Sequence, residues 1–297
     1  GDRDMSITIG DIAITTVVES SGLAGLPHEV FPDATPEMVE PLRHWAEPHA
    51  LDPATGQMLM PVQAYLVRTK HQNILLDTCV GNHKNHPNEL SYHQHTDYTL
   101  LEDLTKAGVA PQEIDIVMCS HLHVDHAGWN TRLLDGRWVP SFPNARYIFS
   151  RKEVAFAEAE GAKGDSIYRE SVQPVLEAGL AEIVEADFAL DDGCWFEPTH
   201  GHTPGHVAIH LASRGQRAVM SGDLIHSPLQ LPHPEWSPIY DSDPLEGART
   251  RRRFLESMAE TDILMMTQHF PAPSVGHIFS RGSGFGMRYL GCDMVHG

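Results

Sequence analysis

The sequence predicts an α/β fold built as a single domain over residues 1–297. Short apolar strand patterns alternate with helix patterns along most of the chain, an order typical of sheets covered by helices. The length of 297 residues suffices for one large core, and no low-complexity linker divides the sequence. We expect 1–61 to form a hairpin and a long loop, and 62–280 to form the core that carries the functional motifs.

The N-terminal half opens with a predicted pair of strands. The stretch "SITIGDIAITTVVES" (6–20) predicts a hairpin with its turn at Gly10-Asp11. Residues 22–61 are rich in Pro, Gly and His, which predicts a long loop with a short helix near 35–46. The next predicted elements are strands at 62–69 and 73–80, a helix at 97–108 and a buried strand at 113–120.

The C-terminal half alternates in the same way. Helix patterns cover 151–161, 168–179 and 244–260. The "RTRRR" cluster at 249–253 lies in the last of these helices and is interpreted as a solvated helix face. The predicted strands are 145–150, 181–186, 194–198, 206–213, 217–223 and, as the last one, 262–269.

Charge and hydropathy exclude several classes of partner. The formal net charge of −19 argues against sequence-independent binding of nucleic acids, which needs clustered Lys and Arg. No stretch approaches the roughly 18–20 apolar residues of a membrane span. The expected partner is therefore a small-molecule substrate, without nucleic acid or membrane.

The cysteines and the N-terminus bear on localisation. The four cysteines are scattered and contain no C-x-x-C pair, which predicts reduced structural thiols and favours a cytoplasmic protein. The first residues show no signal-peptide pattern. Because the chain starts at Gly1, an already removed signal peptide stays an open alternative.

The 20 histidines direct attention to metal binding, and the stretch "SHLHVDHAGWN" (120–130) concentrates them. Residues i and i+2 of an extended segment project to one side, so His121 and His123 can bind one ion together. Asp125 and His126 follow the strand end and can face a second ion. Imidazole and carboxylate suit zinc, and also iron, manganese or cobalt.

Further candidate ligands stand at predicted strand ends, where catalytic groups commonly collect. "GHTPGH" (201–206) offers His202 and His206, "VMSGD" ends in Asp223, and "LMMTQH" ends in His269. Taken singly, each could be a cap or a surface group. Taken together after the H-x-H-x-D-H motif, they indicate a metal centre.

These motifs, with "GDLIHSPLQ" and "HFPAPSVGH", resemble the metallo-β-lactamase fold superfamily over about residues 60–280, and most closely its lactonase and methyl-parathion-hydrolase branch. The resemblance implies a four-layer αββα sandwich with a dinuclear site at one edge, and in some relatives a homodimer. It assigns the first metal to His121, His123 and His206. It assigns the second metal to Asp125, His126 and His269, with Asp223 bridging both.

The resemblance also implies the chemistry. Two divalent metal ions, with Zn²⁺ favoured and Mn, Fe or Co as alternatives, would hold a bridging hydroxide that attacks a lactone or ester-like bond. Asp125, Asp223 and His226 are the expected catalytic residues. His226 stands three residues after the bridging aspartate, where acyl-homoserine lactonases of the superfamily carry a tyrosine. An imidazole there could polarise the carbonyl or protonate the leaving alkoxide. It could equally lie behind the metal ligands or line the pocket.

Other residues are placed around this site. Asp77, in "ILLDTCVG", resembles the family's carboxylate that orients a ligand histidine. His202 is expected to be a turn residue or a neighbour of the ligands, and Trp129 either a wall of the pocket or ordinary core. The His-rich stretch 82–98 lacks a stiff framework, so we expect a mobile loop near the pocket or at a subunit contact instead of a metal site.

The predicted activity is that of a dinuclear metal-dependent hydrolase, a lactonase or esterase acting on a small, fairly apolar substrate. The nearest alternative is a phosphotriester (organophosphate) hydrolase. A glyoxalase II-like thioesterase, a mono-iron oxidoreductase of the persulfide dioxygenase type and a non-catalytic metal-binding protein also stay open. Substrate profiles and metal content discriminate between them.

Overall fold

The computed structural model describes residues 6–297. The helices are α1 (Pro27–Val30), α2 (Pro36–Val39), α3 (Arg43–Ala46), α4 (Leu100–Lys106), α5 (Val124–Ala127), α6 (Arg151–Ala162), α7 (Gln173–Glu177) and α8 (Pro244–Met258). The strands are β1 (Ser6–Ile9), β2 (Ile12–Ser20), β3 (Val62–Arg68), β4 (Asn73–Leu76), β5 (Ile116–Met118), β6 (Thr131–Leu134), β7 (Arg137–Pro140), β8 (Arg146–Ser150), β9 (Ala181–Val184), β10 (Ala189–Asp191), β11 (Cys194–Pro198), β12 (Val207–Ser213), β13 (Gln216–Met220), β14 (Leu264–Met266), β15 (Val275–Arg281), β16 (Gly284–Tyr289) and β17 (Val295–His296).

The predicted α/β class is confirmed by this alternation of helices with two large sheets. The chain divides into two compact units. Unit 1 comprises Gly1–Ser20, described from Ser6 onward, and Val62–Phe188; unit 2 comprises Ser21–Pro61 and Ala189–Gly297. No helix within residues 6–297 combines the length and the apolar character that crossing a membrane requires.

Unit 1 is built on a seven-stranded sheet with the order β1-β2-β3-β4-β5-β8-β9. The first four strands pair antiparallel, starting with the predicted hairpin at Gly10, while β4, β5, β8 and β9 run parallel. Each parallel pair needs a crossover, and α4 and α6 lie in two of these connections. The parallel arrangement places the ends of β4 and β5 at one edge of the sheet.

The predicted mobile loop at 82–98 is anchored to unit 1. Lys84 is fully buried, and its ammonium donates to Thr131 Oγ1 at 2.6 Å and to Ser171 Oγ at 2.9 Å. The same ammonium lies 3.8 Å from the centre of the Trp138 ring. The prediction of a mobile loop is therefore wrong for this segment, because the sequence does not show where a lone lysine finds buried partners.

Unit 2 is built on an eight-stranded sheet whose strands follow chain order from β10 to β17. Every pair is antiparallel except β13–β14, which is parallel and is connected through α8. Residues 22–61, predicted as loop with one short helix, form α1, α2 and α3 around a cluster of buried apolar side chains. The sheet also continues past the predicted last strand through β15, β16 and β17.

The arginine cluster in α8 is only partly a solvated face. Arg249 and Arg253 are exposed, but Arg251 is fully buried. The helix turns about 100° per residue, so alternate arginines cannot all face the same side. The prediction of a solvated face is therefore wrong for Arg251.

Candidate metal centre

In unit 1, the parallel pairing of β4 and β5 brings two motif segments together. Leu76 and Met118 are register partners at the ends of these strands, so the residues that follow them lie side by side. The Asp77 amide donates to the Met118 carbonyl at 2.9 Å. Asp77 adopts φ 62°, a strained backbone conformation that is common at functional sites. Asp77 is thereby held beside the start of the H-x-H-x-D-H motif.

The buried Asp77 carboxylate organises that motif. Its Oδ1 accepts from the Ser120 amide at 2.7 Å, and its Oδ2 accepts from Ser120 Oγ at 2.9 Å and lies 2.7 Å from His126 Nδ1. Ser120 Oγ in turn lies 2.9 Å from His121 Nδ1. One carboxylate therefore orients His126 directly and His121 through Ser120, and these contacts support the role that the resemblance implies for Asp77.

The turn that carries Asp125 and His126 depends on Gly128. A Cβ at this position would lie 1.7 Å from the Val80 carbonyl oxygen and 2.7 Å from the Cys79 oxygen. The Gly128 amide donates to the Cys79 carbonyl at 2.7 Å. The 77–81 loop and α5 can approach this closely only because residue 128 lacks a side chain.

The motif side chains converge within unit 1. The ligand-type atoms of His121 and His123 lie within 4.8 Å of each other, as do those of Asp125 and His126. The rings of His121 and His126 are 4.1 Å apart. Tyr92, a residue of the 82–98 segment that was not among the predicted site residues, donates its hydroxyl hydrogen to Asp125 Oδ2 at 3.4 Å.

Trp129 lies in the hydrophobic core of unit 1. It is 6% exposed, and its indole nitrogen donates to Glu19 Oε2 at 2.6 Å. Burial raises the pKa of Glu19 to about 8, against hydrogen bonds from the Val80 amide and the Trp129 indole that lower it. Of the two roles left open for Trp129, the structure favours ordinary core.

In unit 2, the parallel pairing of β13 and β14 places their following segments at one sheet edge. Met220 and Met266 are register partners, so Asp223 and His269 follow at the same end. The Asp223 carboxylate is almost fully buried among three imidazoles, those of His202, His226 and His269. The His269 Nε2 atom lies 3.1 Å from Asp223 Oδ1, while His202 Nε2 and His226 Nε2 each lie 3.3 Å from Oδ2.

The pKa values of His202 and His226 shift in opposite directions. Burial lowers the pKa of His202, but hydrogen bonds and charge interactions with Asp223 and Asp241 outweigh it and raise the pKa to about 9. Burial also lowers the pKa of His226, and there it prevails over the attraction of Asp223. The His226 ring stacks on His269 at a centroid distance of 5.5 Å.

His206 accepts a hydrogen bond at the atom that a metal would take. The Asp223 amide donates to His206 Nε2 at 2.9 Å. The ligand-type atoms of His202 and Asp223 lie within 4.8 Å of each other. Of the two roles expected for His202, this position fits that of a neighbour of the ligands.

Four of the five predicted ligand histidines hold Nδ1 in the same way, next to an oxygen atom. The pairs are His121 with Ser120 Oγ (2.9 Å), His126 with Asp77 Oδ2 (2.7 Å), His206 with Thr199 Oγ1 (2.8 Å) and His269 with the Pro61 carbonyl (2.7 Å). When Nδ1 of a neutral imidazole carries the proton and donates it to oxygen, Nε2 carries the lone pair that can coordinate a metal. The imidazoles are therefore in the orientation that a metal site requires.

The donor set also fits a divalent ion. It consists of imidazole nitrogens and carboxylate oxygens, the ligands expected for zinc and related metals. The four cysteines are free thiols, and burial raises the pKa of Cys79 and Cys119, so these two stay protonated. Among residues 6–297, no histidine of the 82–98 segment belongs to a group of three or more ligand-type side chains that could hold one metal ion.

We expect Asp77→Asn to weaken metal binding by about 10–100-fold, the usual effect of removing a group that orients a metal ligand. The amide has one accepting oxygen where the carboxylate uses two, so either the Ser120 main-chain amide or the pair formed by Ser120 Oγ and His126 Nδ1 loses its acceptor. Competition with a chromophoric chelator measures the affinity. Asp115→Asn, which alters an exposed carboxylate bonded to the Asn73 amide before β5, is the matched control and should bind metal like the wild type. Equal affinity in Asp77→Asn would contradict the orienting role.

Comparison with known proteins agrees with this geometry. A family profile described as the metallo-beta-lactamase superfamily matches residues 58–268. An N-acyl homoserine lactonase of Bacillus cereus is 27% identical over 176 residues, which cover 56% of this chain and 64% of that protein. The lactonase AiiB of Agrobacterium fabrum (strain C58 / ATCC 33970) is 32% identical over 115 residues, 36% of this chain and 38% of AiiB.

Solved structures show the same fold. A hydrolase of the beta lactamase superfamily, AbOPH, superposes with a TM-score of 0.79 at 24% identity, and 95% of each chain is covered. AidC, a dizinc quorum-quenching lactonase in complex with a product, superposes with a TM-score of 0.75 at 24% identity and the same coverage.

Proposed function

The chain belongs to the metallo-beta-lactamase superfamily, and on that premise we propose that it is a metal-dependent hydrolase that opens a lactone or cleaves an ester-like bond in a small, fairly apolar molecule. The observation that carries the proposal is that four of the ligand histidines hold Nδ1 next to an oxygen atom, which makes Nε2 the nitrogen that would coordinate a metal. The names of the relatives support the lactone, since they are N-acyl homoserine lactonases.

We propose a dinuclear centre. Within unit 1, the ligand-type atoms of His121 and His123 lie within 4.8 Å of each other, as do those of Asp125 and His126; within unit 2, those of Asp223 and His269 do the same. The family motifs imply that Asp223 is the bridging carboxylate. His206 would bind the first metal, as the motifs also imply, once the Asp223 amide releases its Nε2. Zn²⁺ suits these donors, and Mn, Fe or Co are alternatives.

Two divalent ions bound there would supply Lewis acidity toward the scissile carbonyl and an acidified water for attack. The protein's own groups would do the rest. Asp77, Ser120 and Thr199 keep the imidazoles oriented, and Asp125 and Asp223 contribute negative charge that holds the cations. No side-chain nucleophile is needed in this scheme.

His226 is the proposed substrate-facing group. Its Nε2 lies 3.3 Å from Asp223 Oδ2, and as a hydrogen-bond donor the ring would stabilise a developing oxyanion or a leaving alkoxide. We expect His226→Phe to lower kcat on the best lactone by about 100-fold, within the range for loss of a general acid, with bound metal unchanged. Steady-state kinetics and metal analysis measure this, and an unaltered kcat would remove His226 from the chemistry.

The proposed activity is tested by metal quantification paired with a hydrolysis screen. We expect about two ions per chain and the highest kcat/KM on lactones, with aryl esters lower. A preference for phosphotriesters would replace the substrate assignment and keep the metal chemistry. A single iron per chain with persulfide oxidation would overturn the hydrolase, and a metal-free, inactive protein would overturn the whole proposal.

A further inference from the structure

A buried arginine links the segment that carries Asp223 to a neighbouring loop in unit 2. Arg251, on α8, is fully buried, and its Nε donates to the Leu224 carbonyl at 2.7 Å. Its Nη1 donates to the carbonyls of Pro234 at 3.0 Å and Trp236 at 3.2 Å. Because Leu224 directly follows Asp223, the guanidinium fixes the main chain of the turn that presents this carboxylate.

The same guanidinium continues into a chain of buried polar side chains. Arg251 Nη2 lies 3.3 Å from Asp241 Oδ2, and Asp241 Oδ1 lies 2.8 Å from His202 Nδ1. The other ring nitrogen of His202, Nε2, lies 3.3 Å from Asp223 Oδ2. The four side chains are at most 4% exposed, so water does not screen these interactions.

The contacts form a closed circuit. Starting from Asp223, one path runs through its side chain to His202, Asp241 and Arg251. The other path returns from Arg251 through the Leu224 carbonyl to the main chain of Asp223. A carboxylate held from both its side chain and its backbone has little freedom to rotate.

Two glycines allow this packing. A Cβ on Gly247 would lie 2.4 Å from Asp241 Oδ2, and a Cβ on Gly201 would lie 2.4 Å from the Gly247 amide nitrogen. The loop that carries His202 is therefore seated directly on the first turns of α8. The Ser242 amide donates to the His202 carbonyl at 3.0 Å and fixes it there.

Stability alone explains this circuit poorly. Burying an ion pair costs desolvation that its attraction repays only partly, and apolar side chains of similar size often serve stability as well or better. The circuit also ends on Asp223, the bridging ligand of the proposed dinuclear centre. Its position indicates a role in the geometry of that carboxylate.

We propose that Arg251, Asp241 and His202 form a positioning chain that holds the Asp223 carboxylate in the orientation needed to coordinate metal. The inference rests on the proposed dinuclear function and deepens it by assigning these three residues. They act through Asp223, so they are positioning residues and not catalytic ones.

Titration with Co²⁺, followed by its absorption spectrum, tests the chain. The variants are His202→Gln, Asp241→Asn and the double variant, each compared with the wild type. We expect each single variant to bind Co²⁺ about 10–100-fold more weakly, with an altered spectrum. The Co²⁺ affinity of the double variant should be little lower than that of the more weakly binding single variant, because both substitutions interrupt the same chain of contacts.

His210→Gln is the matched control. His210 is a histidine of the same unit, 3% exposed and bonded to Arg217 at 3.1 Å, outside the circuit. It should lose stability in urea as the other variants do and keep the wild-type Co²⁺ affinity and spectrum. If His202→Gln does not fold, the comparison of Asp241→Asn with His210→Gln decides.

The outcomes separate the inference from the proposed function. Wild-type affinity and spectrum in Asp241→Asn and His202→Gln would overturn the positioning chain and leave the dinuclear proposal standing. Additive losses in the double variant would also overturn it, because His202 and Asp241 would then act separately. A wild-type protein that takes up no Co²⁺ or Zn²⁺ would overturn the proposed function itself.

Discussion

Asp223→Ala is expected to lose most of the bound metal and to lower hydrolysis by more than about 100-fold, since even groups that only orient a ligand contribute about 10–100-fold. The variant removes a carboxylate that lies within 3.3 Å of the Nε2 atoms of His202, His226 and His269. Without it, the three imidazoles lose this contact and the two proposed ions lose their shared ligand. Metal analysis of the purified variant and initial rates on the best lactone measure both effects.

The fold should survive this change. The Asp223 main chain is held independently of its side chain. Its N–H donates a hydrogen bond to His206 Nε2, and Arg251 donates to the carbonyl of the next residue, Leu224. Circular dichroism and a urea unfolding curve serve as the check. A folded Asp223→Ala protein with full activity would overturn the dinuclear mechanism, and an unfolded one would direct the same test to Asp223→Asn.

Gly128→Ala is expected to destabilise the protein by about 3 kcal/mol, the upper end of the usual cost of overpacking. The new Cβ would lie 1.7 Å from the Val80 oxygen and 2.0 Å from its carbonyl carbon. Both obstacles are main-chain atoms, which cannot turn away as a flexible side chain would. The displaced 77–81 loop would also move Asp77 and so weaken metal binding.

Gly161→Ala provides the control within the same unit. Its new Cβ would meet only Tyr168 Cβ at 3.4 Å, an ordinary contact, and residue 161 lies inside α6. Alanine is the better helix former by roughly 1 kcal/mol, so this variant should be as stable as the wild type or more so. Urea unfolding of both variants decides, and equal stability of Gly128→Ala and the wild type would contradict the packing argument.

Local patterns predicted much of the fold. Alternating apolar residues and a Gly10 turn gave the β1–β2 hairpin, and apolar runs gave the parallel strands that end before Asp77, Asp223 and His269. Such patterns predict strands and helices because an element that is buried on one side carries apolar residues at the period of that element. The motif histidines were found for a similar reason, since their spacing is short and their residue types are chemically specific.

The β15–β16 hairpin shows where local patterns fail. Its strands contain Gly276, Gly284 and Gly286. Glycine has a low strand propensity, so the local sequence does not predict strands there. In the structure, the Phe279 ring covers Gly286, where a Cβ would lie 2.3 Å from it. These glycines are required by close approach across the sheet, which the linear sequence does not show.

By itself the sequence determined the α/β class, the metal-ligand motifs and the family resemblance, because each depends on residues close together in the chain or on a specific ordered set. Only the tertiary structure decided that Arg251, Lys84 and Trp129 are buried, and that Asp241 and His202 belong to one circuit of contacts. These depend on contacts between segments far apart in sequence. From the sequence alone, a charged side chain is expected to be solvated. It can be buried only where the fold brings it a partner that compensates its desolvation, and such partners lie far away in sequence.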